Sequence, residues 1–115
     1  MFTDADRAIL EQSKLFRHIS IDAVEEVLAD CPVYALAPGD VLIEPEQENH
    51  AVYIVLEGSL SVKLAGRETF EVTHLGPGEC VGEISMVDGQ RPSARVETAD
   101  RARVLVLGHA AMWAL

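Results

Sequence analysis

Apolar residues change their spacing once along this chain. Over the first thirty positions they recur every three or four residues: Ile9 and Leu10 lead toward Leu15 and Phe16, and Ile21, Val24, Val27 and Leu28 follow. That spacing predicts two amphipathic helices. Thr3 is placed to cap the first, with Asp6 three residues on completing a capping box, and Ser20 is placed to cap the second. Pro32 ends it, because proline cannot continue a helix.

From Val33 onward the period shortens to two. Turn signals arrive at close intervals: "PGD" at 38–40, "EQEN" at 46–49, "EG" at 57–58, "AGR" at 65–67, "GPGE" at 76–79 and "DGQRP" at 88–92. Between them lie "AVYIVL", "SLSVKL" and "TFEVTHL". In "SLSVKL", Leu60, Val62 and Leu64 share one face while Ser59, Ser61 and Lys63 share the other. "ARVLVL" (102–107) reads as the last strand, and "HAAMWAL" as the start of a third helix. Met112, Trp113 and Leu115 are expected to pack onto the barrel, in a chain that is a piece of a longer protein. The predicted fold is mainly β with flanking helices: a jelly-roll barrel over 31–108, N-terminal helices within 4–30, and the start of a C-terminal helix at 109–115. All of it is expected to form one domain, residues 1–115.

Composition narrows the function classes. Nineteen acidic against nine basic side chains give a formal charge of -10, which argues against a nucleic-acid surface, since such surfaces need a basic patch. Two cysteines, Cys31 and Cys80, are too few for a disulfide scaffold and lack metal spacing; both are expected as small buried hydrophobes in a reducing cytoplasm. The start "MFTDADRAIL" lacks the basic and apolar stretches of a signal peptide, and "AVYIVL" is too short to span a membrane. The chain is therefore expected to work in the cytoplasm, with no membrane partner. His18, His50, His74 and His109 are scattered, with no His-x-His pair and no nucleophile set, so neither a cupin-type metal site nor catalysis is expected, and no cofactor.

Against this acidic background, "GECVGEISMVDGQRPSAR" (78–95) gathers glycines and arginines. Gly78 and Gly82 let a ligand approach the backbone, although Gly76, Gly78 and Gly89 also read as turn residues. "EISMV" after Gly82 is long enough for one helical turn whose free N–H groups would face an anion. An arginine eight to ten residues beyond that glycine brings a planar fork that matches two phosphate oxygens. Glu83 is suited to accept a hydrogen bond from a sugar hydroxyl beside that phosphate. Glycine, acid and arginine together describe a ribose phosphate.

These residues resemble the phosphate-binding cassette of cyclic nucleotide-binding domains, as in the catabolite activator protein and the protein kinase A regulatory subunit. "VYIVLEGSLSVKL" is similar to the strand pair of that family, "GPGE" precedes the cassette as it does there, and the likeness covers about residues 7–115. The resemblance implies that Gly82 and Glu83 meet the ribose 2′-hydroxyl, and that backbone N–H groups of Ile84 and Ser85 face the cyclic phosphate. It implies that Val62, Val72 and Thr73 line the pocket wall. Arg91, Pro92, Ser93 and Ala94 then fall on the phosphate strand, with one departure. Pro92 stands where most members carry the phosphate arginine, and Arg91 comes one position early.

Two outcomes follow from that exchange. If the strand begins before residue 91, Arg91 turns to the other face, because a shift of one residue inverts a strand side chain. If residues 88–92 are loop, Arg91 can be turned inward. Arg95 has the wrong parity and is expected to face solvent. The resemblance implies a regulatory domain that binds cyclic AMP or cyclic GMP and passes the signal to an effector domain in a longer chain. The alternative is a degenerate member that binds no nucleotide and serves as an interaction or dimerisation module. A second copy of the chain is a further candidate partner, through the apolar helix start.

Overall fold

The computed structural model describes residues 3–16, 19–44, 50–64, 67–82 and 94–114. Two helices come first, α1 (Asp4–Gln12) and α2 (Ile21–Ala29), with a 3-10 turn at Lys14–Phe16 between them. Six strands follow: β1 (Val33–Leu36), β2 (Val41–Ile43), β3 (Ala51–Leu64), β4 (Arg67–Leu75), β5 (Cys80–Val81) and β6 (Ala94–Gly108). A short helix, α3 (His109–Trp113), comes last.

The predicted capping box is present. Thr3 Oγ1 accepts from the Asp6 amide at 3.1 Å, and Asp6 Oδ2 accepts from the Thr3 amide at 3.0 Å. The helix is shorter than its apolar spacing suggests: it closes at Gln12, and Leu15 and Phe16 belong to the tighter turn. Ser20 does occupy the N-cap position of α2 but makes no side-chain cap bond, and α2 ends at Ala29, before Pro32.

All six strands join one antiparallel sheet, in the order β1-β6-β3-β4, with β2 also on β6 and β5 also on β3. β3 and β6 pair from Ala51↔Gly108 to Leu64↔Ala94. One half of this long pair carries β1 and β5, the other half β2 and β4. "EG" at 57–58 is therefore not a turn between two strands. It is a bulge inside β3, with register shifts on either side of Glu57 and Gly58. The reason lies in the partner strand: β6 continues opposite it, and a bulge bends the pair without breaking it. "ARVLVL" is likewise only the second half of a 15-residue strand. The turns at 38–40 and 76–79 form as read; Asp40 Oδ2 accepts from the Ala37 amide at 2.9 Å and Glu79 Oε1 from the Gly76 amide at 3.0 Å.

Two cores lie on opposite faces of the sheet. Inside, Ile43, Val55, Leu60, Val96, Ala102, Val104 and Val106 pack together. Outside, Leu10, Phe16, Ile21, Val24 and Leu28 of the helical region cover Val52, Ile54, Leu56, Leu105 and Leu107. Burying a Leu or Val side chain contributes about 1.5–3 kcal/mol, so these two apolar layers hold the helices to the sheet. Cys80 lies in the outer core, whereas Cys31 is only partly buried, its Sγ donating to the Val27 carbonyl at 3.3 Å. Trp113 does not pack as expected: it is 65% exposed. In α3, Ala111 is the residue set against the outer core, and a position two residues on lies about 200° around the helix.

One ion pair crosses from helix to sheet. Arg103 of β6 holds Asp6 of α1 with both nitrogens, Nη1 to Oδ1 at 3.2 Å and Nη2 to Oδ2 at 2.9 Å. Asp6 is 3% exposed. Its carboxyl is held below the usual aspartate range, first by the hydrogen bonds from Arg103, while burial pushes the other way. Arg7 adds exposed pairs to Asp22 and Glu25 on α2, contacts of small value at a surface.

Two predictions follow from this packing. Gly58 has φ +80°, and a β-carbon there would stand 1.9 Å from the Arg101 carbonyl oxygen. Gly58→Ala is expected to lower unfolding stability by on the order of 2–4 kcal/mol, combining a left-handed backbone with overpacking; chemical denaturation measures it. Asp6→Asn is expected to lose roughly 1.5–3 kcal/mol at neutral pH. Because the folded-state pKa of Asp6 is depressed, its contribution is complete above about pH 4 and fades as pH falls through the folded value. Denaturation curves of wild type and Asp6→Asn should therefore converge in acid.

Candidate functional site

Two of the three expected wall residues, Val62 and Thr73, lie on the inner face. Val62 of β3 pairs with Thr73 of β4 on one side and with Val96 of β6 on the other. Residues opposite one another in an antiparallel pair share a face, so these three line up across three strands. Val62 is partly buried against the inner core, while Thr73 is exposed at the rim. Val72 lies in β4 beside Thr73. Ala94 opens β6 opposite Leu64 and is partly buried. Two residues before Val96, it falls on the same face by strand alternation.

At the other end of the segment, the chain leaves β5 through Gly82. Its φ of +101° lies in the region that side chains rarely adopt, so glycine is required by backbone geometry alone. Glu83, Ile84, Ser85, Arg91, Pro92 and Ser93 lie outside the described residues. The structure thus describes both ends of the candidate loop, Gly82 and Ala94, and two of the residues expected in the wall, Val62 and Thr73. Leu36, Leu42, Tyr53, Leu75 and Val81 pack against the inner core and make much of that face apolar. Burial raises the pKa of the Tyr53 hydroxyl, with Tyr34 adding to the effect, so Tyr53 presents a neutral hydroxyl.

Arg95 is placed differently from expectation. As its parity requires, it sits on the outer face, away from Val96, but it is half-buried and ion-paired rather than free in solvent. Its nearest acids are Glu44 at 3.7 Å and Glu97 at 4.0 Å, and its Nε is buried with no hydrogen-bond partner.

That outer face holds a cluster that sequence reasoning missed. Ser61 is 4% exposed and donates to Glu71 Oε1 at 2.6 Å, the oxygen that also faces His74 Nδ1 at 2.9 Å. Lys63 pairs with Glu97 at 2.6 Å. These residues, with Gly39, Thr98 and Ala99, line an open cavity of about 490 Å³. The alternation in "SLSVKL" did place Ser61 and Lys63 on one face. What it lacked was the partners, which come from β4 and β6. The charges satisfy one another, so the cluster reads as a polar seam between strands. Among the described residues, no group of three or more His, Cys, Asp or Glu is arranged to hold a metal ion, and no helix is long and apolar enough to cross a membrane.

Residues 34–115 match the family model of the cyclic nucleotide-binding domain. The chain belongs to the cyclic nucleotide-binding domain family. Domains of this family are regulatory modules that sense ligands. Among relatives, a Rhodopseudomonas palustris protein described as a potassium channel protein is 27% identical over 101 residues, covering 88% of this chain and 24% of that one. Among solved structures, the regulatory domain of Toxoplasma gondii protein kinase A, co-crystallised with cyclic AMP, superposes with a TM-score of 0.85 at 24% identity, over 96% of this chain and 43% of that one. The regulatory subunit of a cyclic-AMP-independent protein kinase A from Trypanosoma brucei gives 0.77 at 24% identity, over 90% and 39%. The chain thus spans less than half the length of each of these proteins, and the likeness to the two structures is one of fold.

The outer seam can be tested by itself. Ser61→Ala removes the hydroxyl donor to Glu71 Oε1 and is expected to cost about 1 kcal/mol of unfolding stability. Calorimetric melting would register that loss, which a solvent-exposed serine would not produce.

Proposed function

We propose that residues 1–115 form one regulatory domain that binds cyclic AMP or cyclic GMP inside the barrel and passes the signal to an effector in a longer chain. The observation that carries this reading is the family match over residues 34–115. It is supported by Gly82, whose left-handed backbone opens the candidate loop, and by the Val62–Thr73–Val96 alignment across the inner face. In this reading Glu83 and Gly82 take the ribose hydroxyl. The amides of Ile84 and Ser85 face the phosphate, and Ser93 and Ala94 flank it. Val62, Val72 and Thr73 form the wall. The domain binds and does not catalyse, and it works in the cytoplasm.

Arg91 supplies the phosphate charge in place of an arginine at position 92. Pro92 cannot donate a backbone hydrogen bond, which makes the side chain of Arg91 the main charged donor of the segment. Arg95 is not a substitute, since it is engaged on the outer face by Glu44 and Glu97. A second reading rests on the same Pro92: a degenerate domain that binds no nucleotide and acts as an interaction or dimerisation module.

Calorimetric titration of the chain with cyclic AMP and cyclic GMP separates the two. Saturable micromolar binding of either nucleotide is expected. Arg91→Ala should weaken it roughly a hundred-fold, the effect of losing two charged hydrogen bonds, while Arg95→Ala should leave it unchanged. No heat at millimolar nucleotide, in this chain and in a longer one that extends past Leu115, would reject the sensor and favour the degenerate module.

A further inference from the structure

The pairing of β3 with β4 is interrupted twice. Val62 stands opposite Thr73 and Lys63 opposite Glu71, so Val72 is skipped; a second register shift follows between Lys63 and Leu64. Val72 is the extra residue of a bulge, and Glu71 is paired between two breaks. The bulge decides a face. Residues two apart in a regular strand point the same way, and Thr73 shares the inner face with Val62. Pairing without the bulge would set Leu64 against Glu71. Leu64 pairs with Ala94 on its other side, so Glu71 would join the inner face.

Instead Glu71 lies on the outer face with Lys63 and is held there twice. Its Oε1 accepts from Ser61 Oγ at 2.6 Å and faces His74 Nδ1 at 2.9 Å. Ser61 and His74 are themselves opposite one another, so the three side chains bridge the bulge from one flank to the other. Ser61 is 4% exposed, and a hydroxyl buried to that extent is unfavourable without a partner.

We propose that Glu71 is a positioning residue for the candidate pocket: bound by Ser61 and His74, it locks the bulge at Val72 and so keeps its own carboxylate off the inner face. The consequence for ligand rests on the nucleotide-binding reading above, in which Ala94 flanks the phosphate. A slipped Glu71 would stand two strand spacings from Ala94, about 10 Å. A carboxylate there repels a phosphate more strongly than it would in bulk water, because an apolar face screens charge poorly. The outer seam thus shapes the pocket from the opposite side of the sheet.

Cross-strand nuclear Overhauser contacts in the ligand-free chain report the register directly. In wild type the backbone of Glu71 should lie against Lys63, and in Ser61→Ala/His74→Ala against Leu64. Ser61→Ala alone, the milder change, should shift the register in part. Intact contacts between β3 and β6 verify that each variant is folded. At low salt, affinity for cyclic AMP or cyclic GMP should fall about five- to ten-fold in the double variant. Adding Glu71→Gln should restore most of it, because the slipped side chain no longer carries a charge; a seam that merely stabilised the sheet would not be repaired by a third substitution. If the Glu71–Lys63 contacts persist in the double variant, side chains do not hold the bulge and the proposal is wrong. If the register slips but Glu71→Gln restores nothing, Glu71 has no positioning role. Should wild type bind neither nucleotide, the reading of the pocket fails, while the register measurement still decides the lock.

Discussion

The hydrogen-bonded pairing of β3 with β6 runs from Ala51↔Gly108 to Leu64↔Ala94, and every other strand borders one of these two. Such a pair would be a flat ribbon with one wet face if nothing bent it. The bulge at Glu57 and Gly58 provides the bend, raising local twist where the register shifts. Gly58 makes this possible because its backbone lies against the Arg101 carbonyl with no room for a side chain. Both cores then follow: one face closes over Val55, Leu60, Val96 and Val104, while the other receives the helices.

Electrostatics is arranged around that frame by position. The chain is strongly acidic, yet three of its arginines each meet two or more carboxylates: Arg7 with Glu11, Asp22 and Glu25, Arg95 with Glu44 and Glu97, and Arg103 with Asp6 and Glu57. An excess of acids leaves each cation with a choice of partners. Arg95 shows the functional side of this. Its strand parity and its acids commit it to the outer face, away from Val96 and the inner core.

Local features were legible in the sequence and distant pairings were not. The capping box of Thr3 and Asp6 spans three residues and follows from side-chain chemistry alone. The face of Arg95 could be read from parity, because strand alternation is strict over two residues. By contrast, a glycine after a polar residue looks the same in a turn and in a bulge. Only β6, more than forty positions on, decides that "EG" is the latter. The Asp6–Arg103 pair is separated by 97 residues and leaves no local trace. The same holds for the burial of Ser61, which depends on Glu71 of the neighbouring strand. The family was readable from the order of glycine, acid and arginine in 78–95, because such spacings carry their chemistry with them. Trp113 was misplaced because a helix of five residues is too short for apolar composition to say which side turns inward.

Asp6 carries two duties with one carboxylate: it closes the cap of α1 and it receives Arg103. Thr3, Asp6 and Arg103 are therefore bound in their inheritance as well as in space. A change at Asp6 alters helix initiation and layer docking together, so its effect cannot be the sum of the two measured at Thr3 and Arg103. Among descendants of this sequence, the three positions should drift as an epistatic unit. A lineage that loses the arginine frees the acid to become any residue that still caps a helix.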